Sequence, residues 1–146
     1  MYQTIRPSAF RRQRRAIDME WYPLLRDVHM IFSRVGLAVG VLMLAWGVYI
    51  GLIRHGDVTR PFRIGVYGMT GFMALEALIG LIMYVGGGRP YDEVHLIYGA
   101  GATLALPFFI YVEVTARKRP AMGSYIWGFG LMAAIILRTM ATGAAG

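Results

Sequence analysis

The residues that could do chemistry in this 146-residue chain are few: three histidines, one carboxylate deep in an apolar run, and two arginines just inside apolar runs. His29 and His95 stand at the starts of the first and third long apolar runs, which places both imidazoles at one end of an up-and-down helical arrangement. Two imidazoles at matched depth are the axial pair that a b-type haem needs, and no cysteine is required. Gly99 follows His95 by one helical turn, while Ser33 and Gly36 share the face of His29, so small side chains would leave room for a flat porphyrin. Arg34 and Arg138 come to that same end. There they would meet haem propionates, a carboxylate such as Asp92 or Glu93, or a phospholipid head; arginines this near a span end also snorkel to the interface. His55 belongs to the opposite end, so a second histidine pair is not available. A chlorophyll-type pigment needs one axial histidine. Interfacial histidines that merely bond to loop backbone or headgroups fit the same spacing.

Glu76 is the second feature, close to the midpoint of the second apolar run. A lone carboxylate at that depth is costly, and such residues tend to be paired or functional. It reads as a proton relay, as a hydrogen-bonding partner for a quinone or pigment, or as a carboxyl bonded to a neighbouring helix carbonyl. Pro107, inside the third run, should bend its helix and free such a carbonyl.

The elements that position these residues follow from hydropathy. The chain is 57% apolar and 16% charged, with 19 glycines, 10 methionines and no cysteine, and a mean hydropathy of +0.51. These values lie outside the range of ordinary soluble domains. Without cysteine there is no disulfide framework, thiolate site or c-type haem attachment. Four stretches are nearly free of charge and as long as a bilayer core requires: about Met30–Ile53, Ile64–Gly86, Val94–Ala116 and Met122–Ala141. The short connections between them each carry a proline, Pro61, Pro90 and Pro120. Helices are the only structure that satisfies the backbone of such spans in lipid. The sequence therefore predicts an all-α integral membrane four-helix bundle over residues 30–146, preceded by a basic tail over residues 1–29.

The tail carries Arg6, Arg11, Arg12, Arg14, Arg15 and Arg26, and the apolar run after it is a full span rather than a signal-peptide core. Ala9–Leu25 could lie on the membrane surface as a basic helix, held by anionic lipid and by Trp21 and Tyr22; an arm gripping a neighbouring subunit is the other reading. The net charge of +7 then reflects arginine-lined loops rather than a nucleic-acid footprint. Sidedness is contested. The tail arginines and Arg89 fall on one side, and Arg54, Arg60, Arg63, Arg117, Lys118 and Arg119 on the other. Weight on the first helix favours a cytoplasmic N-terminus in a multi-pass protein of a bacterial cytoplasmic membrane.

Glycines at helical spacing, such as Gly36-x-x-x-Gly40 and Gly47-x-x-x-Gly51, predict close helix packing. Soluble-enzyme chemistry is not indicated. Gly86-Gly87-Gly88 lacks the lysine of a phosphate loop, and no His-x-x-x-His pair is present; Asp92, Glu93 and His95 could hold a metal at one end, but adjacent acids in a loop are more often solvated. No catalytic residue is assigned. His95-x-x-Tyr98-Gly99, followed by Leu106-Pro107 and by Leu137-Arg138-x-x-x-Thr142-Gly143, resembles small four-span bacterial membrane proteins without an assigned activity. The resemblance covers about the second half of the chain. It draws attention to His95, Tyr98 and Arg138 and implies no catalytic role.

Three functions are compatible with these features. The first is a small non-catalytic accessory subunit of a larger respiratory or photosynthetic electron-transfer complex, with other membrane-protein subunits as partners. The second is an electron carrier with one b-type haem, or a quinone-handling site, at His29 and His95. The third is a proton-coupled small carrier using Glu76. The scarcity of polar groups inside the spans favours the first.

Overall fold

The computed structural model describes residues 21–115 and 121–143. Within them the chain forms four long helices: α1 (Trp21–Val48), α2 (Arg60–Val85), α3 (Val94–Thr115) and α4 (Ala121–Gly143). All four are long and apolar enough to cross a membrane. A π-helical turn, Tyr49–Ile53, extends α1. The basic residues of the tail up to residue 20, and the connection at 116–120, lie outside the described residues. The surface helix expected over Ala9–Leu25 is thus seen only from Trp21 onward, and there it is already the first part of α1.

The helices run up and down around a ring. α1 and α3 both neighbour α2 and α4, so α1 faces α3 across a diagonal; the most extensive packing is between α3 and α4. α1 begins nine residues before the span read from hydropathy. With its π turn it runs for 33 residues, which at about 1.5 Å per residue is roughly 50 Å, more than an apolar bilayer core of about 30 Å. The surplus is what brings His29, nine residues into α1, level with His95, the second residue of α3.

Local sequence explains where the helices start and stop. Thr59 caps α2 by accepting from the Phe62 N–H at 3.4 Å, with Pro61 in the first turn where its missing donor costs nothing. α2 ends in a Schellman arrangement: the Gly88 N–H donates to the Met83 carbonyl at 3.0 Å and the Gly87 N–H to Tyr84 at 3.1 Å. Gly87 takes the left-handed conformation (φ 101°) that this ending requires. Gly88 then passes so close to the Tyr22 ring that an added Cβ would lie 2.8 Å from Tyr22 Cε2. The Gly86–Gly88 run is therefore a helix stop folded over the start of α1. Asp92 opens α3 by accepting from the Val94 N–H at 3.0 Å. Pro107 lies inside α3, which continues unbroken to Thr115.

The interior is built from aromatic rings and methionines set against glycine. Phe62, Val66, Leu106, Met122, Tyr125, Phe129 and Met132 are fully buried. Phe62 touches Trp46, Tyr125 and Phe129 with ring centroids 5.4, 6.0 and 6.1 Å away, an edge-on clustering that aromatic quadrupoles favour. Methionine tips occupy the space that glycines leave. A Cβ at Gly40 would sit 2.8 Å from Met132 Cε, one at Gly51 2.7 Å from Met122 Cγ, and one at Gly65 2.7 Å from Met43 Cε. The predicted glycine packing thus holds at Gly36, Gly40, Gly47 and Gly51. Gly68, Gly71, Gly99, Gly123 and Gly130 meet no neighbouring side chain.

Candidate functional site

Two polar clusters interrupt the apolar bundle, one at each end. At the end where α1 begins, all four helices contribute. His29 and Ser33 are one turn apart on α1 and face Glu76 and Gly80, one turn apart on α2. The Ser33 hydroxyl donates to Glu76 Oε1. Glu76 is only 7% exposed, and its second oxygen, Oε2, has no partner. This corrects the expectation that Pro107 would free a carbonyl for Glu76: the carboxyl is held by a hydroxyl on α1 instead. Pro107 stands on α3, whereas the face of α2 that carries Glu76 turns toward α1.

His29 lies against Gly80, whose missing side chain admits the ring; an added Cβ would be 3.3 Å from His29 Cε1. Its Nδ1 is buried without a partner. His95 lies in the same way against Gly143 of α4, where a Cβ would be 2.7 Å from its Cε1. His95 Nδ1 is 3.0 Å from the Thr139 carbonyl. A carbonyl only accepts, so Nδ1 carries the proton and Nε2 keeps its lone pair. The two imidazoles meet across the diagonal, their ring centroids 6.4 Å apart and their planes inclined by 71°. Each is half-buried, and His95 is anchored by the backbone of α4.

The other residues singled out from sequence stand around this pair. Arg138 precedes Thr139, so it lies at the level of His95; it is exposed and its guanidinium stands 5.8 Å from the centre of the Tyr98 ring. Arg34 is exposed on α1. Among the described residues the ion pairs are Arg26–Asp27 and Arg63–Glu113, so Asp92 and Glu93 do not pair with Arg34 or Arg138. Asp92 is the cap of α3 instead. Gly99 has open space beside it one turn beyond His95. Ser33 and Gly36, expected to leave room beside His29, do not: Ser33 bonds to Glu76, and Gly36 is covered by Phe72 and Met73.

Sequence reading missed the cluster at the opposite end. Glu113 on α3 takes Arg63 Nη2 of α2 at 2.9 Å through Oε1, and the buried Tyr125 hydroxyl of α4 donates to its Oε2 at 2.9 Å. Asp57, in the loop after α1, accepts from the Val58 N–H at 2.7 Å and from the Met122 N–H at 3.3 Å, tying that loop to the start of α4. The signal was present. Arg63 in the first turn of α2 and Glu113 in the last turn of α3 must share an end in an up-and-down bundle. This second cluster has every carboxylate oxygen of Glu113 engaged, and it reads as a tie between three helices.

The fold and the site together define a class: a four-helix protein with membrane-spanning proportions and a pair of imidazoles facing each other at one end. No protein-family model, curated protein or solved structure matches the chain.

Proposed function

We propose that this chain is a small membrane-embedded electron carrier that works beside larger partners, its redox site formed by His29 and His95. One observation supports this above the rest: side chains 66 positions apart, on helices that face each other only diagonally, bring their rings to a centroid separation of 6.4 Å. Imidazoles that serve a redox centre are held by second-shell hydrogen bonds to backbone or carboxylate, and His95 has such a tether to the Thr139 carbonyl. A bundle that served packing alone would have no need of a Glu76 oxygen and a His29 nitrogen buried without partners, at about 1–3 kcal/mol each. The test is voltammetry on the chain isolated from native membranes in mild detergent. A reversible wave that disappears in His29→Ala and His95→Ala supports the reading, and a folded protein without any wave overturns it.

A second reading, the accessory subunit, draws on a different feature. Gly68 and Gly71 of α2 and Gly123 and Gly130 of α4 have nothing packed against them, and small residues on a lipid-facing surface suit close approach of a further helix. Migration in a large assembly on a native gel fits both readings. Loss of that assembly in Gly68→Leu, with the voltammetric wave unchanged, would separate the two roles.

A further inference from the structure

We infer that the group held between His29 and His95 is a b-type haem, ligated axially by these two residues. The inference rests on the electron-carrier reading and names its redox group.

Spacing is the first support. A metal shared by two imidazoles, at roughly 2.0 Å per metal–nitrogen bond, sets the ring centroids about 6 Å apart, and the observed separation is 6.4 Å. Two rings that were simply stacked for packing would have no reason to keep one nitrogen each clear of backbone. Here His95 keeps Nε2, because Nδ1 is committed to the Thr139 carbonyl, and His29 keeps a buried nitrogen that no protein group satisfies.

Ligand count is the second. A bare transition metal needs three or four protein donors, and among the described residues no group of three His, Cys, Asp or Glu side chains is gathered to hold one. A haem brings four nitrogens of its own and asks the protein for two. The pair is therefore sufficient for haem and insufficient for zinc, copper or non-haem iron.

Access and charge are the third. Both rings are half-buried rather than sealed, so the site opens to the outside of the bundle. On α3 the position one turn beyond His95 is Gly99, with open space beside it. Arg138, at the level of His95, is exposed and has no carboxylate partner among the described residues, as a group that receives a propionate would be. Arg34 stands free on α1 in the same way.

His29 and His95 would hold such a haem through their ring nitrogens, and the group would supply reversible one-electron transfer, taking an electron from one one-electron redox centre and passing it to another with no bond formed or broken.

The test is a reduced-minus-oxidised visible spectrum of the full chain in mild detergent, as isolated and after addition of haemin. A sharp α-band with a Soret band, at one haem per chain, is expected. His29→Gly and His95→Gly should each lose the low-spin spectrum, and added imidazole should restore it while circular dichroism stays helical. His55→Ala should leave the spectrum unchanged. Retention of the low-spin band in both glycine variants overturns the ligand assignment, as does a folded wild-type chain that takes up no haemin. A voltammetric wave without a Soret band would leave the electron-carrier reading standing and replace haem by an organic redox group such as a quinone. Loss of both signals would end the two together.

Discussion

At the scale of single residues, the Ser33–Glu76 pair shows how an apolar bundle tolerates a carboxyl group. Glu76 sits on the inward face of α2, and the one hydrogen bond it accepts from a side chain comes from α1. Ser33→Ala removes that donor and leaves both carboxyl oxygens unpartnered, so the bundle should lose about 1–3 kcal/mol, read as a lower midpoint of unfolding in a denaturing detergent titration. The double variant Ser33→Ala/Glu76→Met should recover most of the loss, because replacing both members by apolar groups removes the unsatisfied atom with its partner. A single variant as stable as the parent would show that the hydroxyl contributes nothing. Glycine works at the same scale by what it omits. Gly80 and Gly143 are the floors on which His29 and His95 rest. A Cβ at Gly143 would come within 2.7 Å of the His95 ring, so Gly143→Ala should tilt that ring and weaken its bond to Thr139 without touching His29.

At the scale of elements, the ends of the helices do more of the specifying than their apolar middles. The Schellman stop at Gly87 turns the chain so that Gly88 crosses the Tyr22 ring, which fixes the overhanging start of α1 against the loop between α2 and α3. Gly88→Ala should therefore destabilise the fold by about 1–3 kcal/mol through overpacking. Tyr22→Ala in the same chain should relieve most of that cost, and a failure of the second change to rescue would show that backbone conformation rather than the ring is limiting. At the other end, Arg63, Glu113 and Tyr125 tie α2, α3 and α4 together. Glu113→Ala leaves the fully buried Tyr125 hydroxyl without its acceptor, and a loss of about 1–3 kcal/mol is expected on thermal unfolding. The number and order of the helices were legible because charge is confined to short proline-bearing connections. Their lengths were less so: hydropathy marks where a helix turns apolar, and α1 starts nine residues earlier, in a stretch containing Arg26 and Asp27. Matched depth of His29 and His95 followed from counting crossings, but the glycines beneath them and the Thr139 carbonyl behind His95 depend on which faces meet, and no single sequence states that. The same limit hid Ser33 as the partner of Glu76, and it directed attention to Pro107 instead.

At the scale of the whole molecule, the two ends have different characters. One is a satisfied ion-pair tie, and the other is a half-open assembly of imidazoles, hydroxyl and carboxyl with unpartnered atoms. On the proposed electron-carrier reading only the imidazole end would exchange electrons, and this asymmetry suits that role. Arg138→Glu should test this polarity. It reverses the charge beside His95 while leaving the rings in place, so the wave should persist and shift in potential; the same exchange at Arg54, at the other end, should leave the potential where it was. An equal shift from both sites would mean that distance from the imidazoles does not matter and that the redox group lies elsewhere.

The methionines seated on glycine carry a consequence for how this protein ages. Thioether sulfur is readily oxidised to the bulkier, polar sulfoxide, yet Met122 and Met132 are 1% and 0% exposed and fill gaps with no room for another oxygen. Peroxide should reach them only in the moments when helices part, whereas Met30, 41% exposed, should react from the start. The lag between Met30 and Met132 in a peroxide time course followed by mass spectrometry is then a clock for bundle opening. Gly40→Ala, which displaces the Met132 tip, should make that clock run faster. Each oxidation would also be one-way in mechanical terms, since a sulfoxide cannot return to its glycine seat and the helices it packed between would stay open to the next.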